Sequence, residues 1–183
     1  MTALPKITPA EYLDQERRAE NKSEYVAGEI FAMAGASPAH NLIVGNLVTE
    51  LNSALKQRPC RVYPSDLRLW VADSYFYPDV SVVCGDPSFA DGDNLMNPSL
   101  IVEVLSPSTA DFDMGGKFAR YRQIESLQEY VLVAQDSARV IHYQRQDDAH
   151  WLMSEITDAR ASVVLPSLDC ALAMADIYDK VFR

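Results

Sequence analysis

The sequence predicts an α/β or borderline α+β fold, a mixed central β-sheet flanked by helices. Two observations predict it. Short runs rich in branched and aromatic residues recur from about position 60 onward, and helical apolar periodicity appears both before them and between them. The length agrees, because 183 residues fall in the range of one domain with one core, here 1–183.

Taken in order, Thr8-Pro9-Ala10-Glu11 forms a capping box with proline at the first helical position, so a short helix should run to about 19. Stretches 23–26 and 29–33 can pair as a hairpin across Ala27-Gly28. From about 39 to 56, Ile43, Leu47, Leu51 and Leu55 recur every four residues beside Val44 and Val48, one apolar stripe facing a core. After Pro59 the pattern turns to β in CRVY, DLRLWV and YPDVSVVC. GDPSFADGDNLMNP reads as a loop, and the almost wholly apolar SLIVEVL as a strand buried on both faces. Helical pattern resumes over about 117–124. EYVLVA, RVIHYQ and WLMSEI read as three more strands, and a last helix spans about 173–182.

A formal net charge of -10 argues against a protein that coats nucleic acid by bulk electrostatics. Carboxylates that ligate a divalent cation lose their repulsion for phosphate, so acidity does not exclude phosphate chemistry. No basic stretch followed by an apolar run opens the chain, and nowhere do about 18 apolar residues follow one another, so neither export nor a membrane is expected. Cys60, Cys84 and Cys170 are odd in number and form no CxxC pair, which predicts neither a disulfide framework nor a zinc site; the cytoplasm is the default compartment.

Two acids stand out. Glu103 interrupts SLIVEVL, and a lone carboxylate in an apolar strand is costly to desolvate unless it is paired with a cation, such as a buried arginine, or holds a metal. Asp79 follows Pro78 at the start of VSVVC, a position that turn chemistry alone explains. If the two strands are neighbours, both carboxylates converge on one cation, and oxygen ligands of this kind suit magnesium or manganese. His142 and His150 lack a motif and read as structural or exposed.

YPDV, then SLIVEVLSPST, then DMGGKFARYRQ resembles the Uma family of endonucleases, a bacterial branch of the PD-(D/E)XK superfamily. The resemblance extends over most of the chain, from TPAEYL and SEYVAGEI through SPAHNLIVGNL to EYVLVAQDSARVIHYQ. It implies a restriction-endonuclease-like fold, DNA as partner and hydrolysis of phosphodiester bonds with Mg2+ or Mn2+. In the wider superfamily the second acid is followed two residues later by lysine, where this chain has Leu105. The family pattern implies Lys117 in that role, with Asp113 one turn before it. Glu24 and His40 match further family positions, and His40 sits at a helix start, where amides favour an anion.

The expected assignment is therefore Asp79 and Glu103 as metal ligands, completed by the carbonyl of Val104, with Lys117 orienting the attacking water and Glu24 and His40 beside them. Lys117, Arg120 and Arg122, with Lys56, Arg58, Arg61 and Arg68, are expected to form a positive rim. Cutting both strands of a duplex calls for two sites, hence a homodimer through exposed Trp, Tyr or Leu. Two other readings keep the fold: a non-catalytic DNA-binding or assembly module, for which Leu105 argues, and a metal-dependent phosphoesterase on small substrates.

Overall fold

The computed structural model describes residues 6–33, 35–107 and 109–182. Helix α1 (Pro9–Glu16) opens on the expected capping box, in which Thr8 and Glu11 satisfy each other's backbone amides. The hairpin β1 (Ser23–Val26) and β2 (Glu29–Ala32) turns at Ala27 and Gly28, both at positive φ. Helix α2 (Pro38–Ala54) is capped by Ser37 and buries Ile43, Leu47 and Leu51, three members of the predicted stripe.

The strands divide into two six-stranded sheets and a hairpin. The first sheet comprises β1, β2, β4 (Arg68–Val71), β5 (Ser74–Phe76), β7 (Phe89–Ala90) and β8 (Asn94–Leu95), in the order β2-β1-β5-β4-β8-β7. The second comprises β3 (Cys60–Pro64), β6 (Val80–Cys84), β9 (Leu100–Leu105), β10 (Glu129–Ala134), β11 (Val140–Arg145) and β12 (Trp151–Ile156), ordered β12-β11-β10-β9-β6-β3. Only β9 and β10 run parallel within it. The third unit is the hairpin of β13 (Ser162–Leu165) and β14 (Cys170–Ala173). The fold is α+β, with mixed sheets and few helices, as the strand-rich pattern predicts.

The second sheet is covered on both faces, which explains why β9 is buried along its length. One face carries Val80, Val82, Val102 and Val104 against α2 and the β13–β14 hairpin. The other carries Ile101, Leu105, Tyr130 and Leu132 against Phe76 and Leu69 of the first sheet and against Tyr121. Alternation along β9 thus turns Glu103, like Ile101 and Leu105, toward the interface between the two sheets.

Several expectations need correction. A single sheet was expected; β5, β7, β8, β13 and β14 were not, because runs of two to four residues carry too little period-2 signal to stand out from turn residues. The helix expected from 117 begins earlier and is irregular, running as α3 (Ala110–Phe112), a π-helical turn over Asp113–Lys117 and α4 (Phe118–Tyr121). The last helix is only α5 (Met174–Ile177). Cys60 and Cys84, distant in sequence, are directly opposed in the β3–β6 register and form a disulfide where no disulfide framework was expected; Cys170 is free. No described helix is long and apolar enough to cross a membrane.

Leu47 is the central member of the α2 stripe and is fully buried on the valine face. Leu47→Ala should lower stability by about 2 to 5 kcal/mol, read as a lower urea midpoint at unchanged slope.

Candidate active site

The two acids meet because their strands are neighbours. Val80 pairs with Val102 and Ser81 with Ile101, so one further residue brings Asp79 opposite Glu103, on the same side of the sheet. Asp79 Oδ2 accepts a hydrogen bond from the Val104 amide at 2.7 Å and lies 3.2 Å from His40 Nε2. Continuing the register to Pro78 sets a residue with no N–H opposite Val104, so proline has no donor to give the Val104 carbonyl.

Glu103 is buried and its Oε1 accepts from the Tyr121 hydroxyl at 2.8 Å and from Lys117 Nζ at 3.2 Å. The Lys117 ammonium also lies 3.0 Å from Glu24 Oε1 and 3.2 Å from Asp113 Oδ1, with the Phe76 ring 5.7 Å away. Glu24 Oε1 is fixed in turn by the Tyr77 amide at 3.2 Å. Three carboxylates therefore converge on one buried ammonium: one from the first sheet, one from the second and one from the π-helical turn.

That turn places the lysine. Its wider i→i+5 winding carries Asp113 and Lys117 inward together, and both are buried. Tyr130 donates its hydroxyl to the Asp113 carbonyl at 3.0 Å, tying the turn to β10. Gly116 leaves room for Phe112: a Cβ at this position would come within 2.4 Å of the Phe112 ring, which would have to shift.

Charge is unevenly matched. Burial raises the Glu103 carboxyl well above its ordinary value; Lys117 opposes this, while Asp113, Asp79 and Glu24 add to it. Burial of Lys117 would by itself lower the ammonium, but Glu103, Glu24 and Asp113 together raise it, so it stays charged at neutral pH. The His40 imidazole is raised mainly by its hydrogen bond to Asp79, against desolvation. Two atoms show unmet capacity among the described residues: His40 Nδ1 and Asp113 Oδ1 are buried without a hydrogen-bond partner, the latter held to Lys117 only as an ion pair.

The predicted residues Asp79, Glu103, Val104, Lys117, Glu24 and His40 are thus one constellation. Tyr121, which hydrogen-bonds Glu103, was not anticipated, although it lies four residues after Lys117, on the same helical side. Much of the expected positive rim is engaged within the fold. Arg68 is buried on Asp93, Asn94 and Tyr77; Arg58 pairs with Asp169, Arg61 with the Gly85 carbonyl, and Arg120 reaches Ser74 and lies 3.9 Å from Asp73. His142 is buried on Glu129 and His150 is exposed beside Asp147, both outside the site. A hollow of about 680 Å³ elsewhere, lined by Trp70, Met96, Gln123 and Ile124 among others, has Glu125 as its only ionisable lining residue.

The donor set fits a hard divalent cation: carboxylate and carbonyl oxygens, an excess of negative charge and an incompletely bonded buried oxygen. Among the described residues no group of three or more His, Cys, Asp or Glu side chains is spaced as a metal cage. Magnesium does not need one, since it commonly takes one or two carboxylates and keeps water and phosphate oxygens.

Comparison with known proteins gives the family and the fold. The model of the Uma2 family, described as "Putative restriction endonuclease", matches residues 9–175. The chain belongs to the Uma2 family. Two relatives from Synechocystis sp. are described as uncharacterized proteins: sll1609 is 46% identical over 161 residues, 86% of this chain and 91% of its own length, and slr1290 is 38% identical over 177 residues, 96% and 93% respectively. In fold, the chain is similar to a crystal structure described as a putative nuclease belonging to DUF820 from Anabaena variabilis, with a TM-score of 0.79 and 24% identity over 96% of this chain and 99% of that one.

Removing the ammonium leaves Glu24, Glu103 and Asp113 buried without a counter-charge. Lys117→Met should lower stability by about 3 to 5 kcal/mol at neutral pH. Without the lysine the Glu103 carboxyl rises further, and a carboxyl raised in the folded state contributes stability below its unfolded value and loses it as pH climbs. The deficit against wild type should therefore shrink as pH falls toward the ordinary carboxylate range, measured by urea denaturation across pH.

Proposed function

We propose that this Uma2 protein is a metal-dependent endonuclease that hydrolyses DNA phosphodiester bonds. The observation that carries the reading is the Lys117 ammonium 3.2 Å from Glu103 Oε1: a lysine reaches the second acid from another element where the strand itself offers Leu105. A buried lysine kept charged by three carboxylates is hard to explain as stabilisation alone, since an apolar group of similar volume would serve a core as well or better.

Asp79, Glu103 and the Val104 carbonyl would hold Mg2+ or Mn2+. When bound, such an ion polarises the scissile phosphate and lowers the pKa of a water. The chain's own residues do the rest. The Val104 amide and His40 hold Asp79 Oδ2, and the Tyr121 hydroxyl holds Glu103 Oε1, so neither carboxylate must reorganise to meet a ligand. Lys117, charged at neutral pH, acts as a hydrogen-bond donor that orients water and offsets negative charge developing on the phosphoryl oxygens, not as a base. Glu24 keeps the ammonium in place from the opposite sheet.

A cytoplasmic homodimer presenting two such sites to a duplex belongs to the same proposal. Its interface would be the free edge at β12, where Leu152 and Met153 are exposed; no described Trp or Tyr is among the exposed large side chains. Light scattering should find the dimer, and a monomer at all concentrations contradicts this part.

The test is cleavage of supercoiled plasmid with magnesium or manganese. Wild type should nick or linearise it, and Asp79→Ala, Glu103→Ala and Lys117→Ala should each lose at least about a hundredfold in rate. Hydrolysis of a small chromogenic diester without any cutting of DNA would favour a small-substrate phosphoesterase, and no metal-dependent cutting of any DNA form would sink the nuclease reading.

A further inference from the structure

Phe31 and Phe112 are exposed by 48% and 36%, and their rings stack at 6.4 Å with planes 28° apart. They do not form an isolated surface patch. Phe31 is the β2 partner of Glu24, and directly opposed residues share a face of the sheet, so the ring stands on the side from which Glu24 meets Lys117. Inward from Phe112 comes Phe76 at 6.4 Å, then Tyr121 edge-on at 5.4 Å, whose hydroxyl is bonded to Glu103. A continuous path of aromatic contacts therefore runs from solvent to the candidate metal ligand. The outer ring is also placed by design of the turn, because any side chain at Gly116 would displace Phe112.

The charges nearby do not provide a track for a phosphate backbone. Lys22, Arg68, Lys117 and Arg120 each have a carboxylate partner, and the chain carries a net charge of -10. Counterion release at these paired residues contributes little, so affinity for a nucleic acid here gains from a second source. Exposed rings next to the cutting site supply it by stacking on bases, which every base permits through its π-face. In a regular duplex those faces are covered by neighbouring pairs.

Resting on the nuclease reading above, we infer that Phe31 and Phe112 are a base-stacking platform, and that the substrate is DNA whose bases are unstacked beside the scissile bond, as in single strands or at unpaired positions of a duplex. A second copy of the chain seated on these rings is the competing occupant, and it would cover the approach to Lys117.

Wild type, Phe31→Ala and Phe31→Trp are titrated, with calcium in place of magnesium, against oligothymidylate of about sixteen nucleotides, an abasic strand of the same length and a blunt hairpin duplex. Phe31 is an exposed strand residue, and a thermal melt checks that each variant is folded. Wild type should prefer oligothymidylate to both other probes, Phe31→Ala should bind it about ten- to a hundredfold more weakly, and Phe31→Trp should keep affinity with its added indole emission quenched on binding. Equal binding of thymidylate and abasic strands, no loss in Phe31→Ala, or no binding by wild type overturns the inference; so does a dimer that light scattering shows dissolving in Phe31→Ala. Base-dependent binding by a protein that never cuts plasmid would defeat the nuclease reading and leave base stacking intact, whereas cutting by wild type and Phe31→Ala alike with unchanged binding would defeat stacking alone.

Discussion

The ammonium of Lys117 is the interaction on which the rest depends. Glu24 belongs to the first sheet, Glu103 to the second and Asp113 to the π-helical turn, and this one cation lies within ion-pair distance of all three. Without it, the two sheets would press buried carboxylates toward each other across an apolar interface. Desolvation penalises an unpaired charge far more than a paired one, so the lysine sets the closeness of the sheets and the tilt of the turn at once.

The same constraint explains the irregular winding. In a regular α-helix the residues of DMGGK would present a lysine and an aspartate one turn apart on the surface. The π-helical turn carries both inward, and Gly116 leaves room for Phe112 to close over it. Local regularity is given up where the site is made, a common location for such turns. On the strand side, Asp79 depends on Pro78 in a similar way, because the end of the β6 ladder frees the Val104 amide to bind a side chain in place of backbone.

Much of this was legible in the chain. A carboxylate in SLIVEVL has to be paired, and Glu103 is; the four-residue recurrence of Ile43, Leu47 and Leu51 does face a core. The i,i+4 spacing of Asp113 and Lys117 foretold their contact, and the lysine does turn toward Glu103. What stayed hidden depends on tertiary register. Nothing local says that Cys60 faces Cys84, that Tyr77 offers its amide to Glu24, or that Arg58 and Arg68 are consumed by Asp169 and Asp93. Clustered basic residues in a sequence do not reveal which of them meet carboxylates in space. The separate first sheet was missed for a related reason: β5, β7 and β8 are only two or three residues long, and their pairing, not their composition, makes them strands.

Buried carboxylates around a charged lysine can be a structural knot or a cation site awaiting its ion. Crystals grown with manganese and measured at its absorption edge decide between them most directly. The account predicts an anomalous peak in contact with the Asp79 and Glu103 carboxylates, with the Lys117 ammonium retained beside it. A peak elsewhere, none at saturating manganese, or a Lys117 side chain turned out to solvent would contradict it.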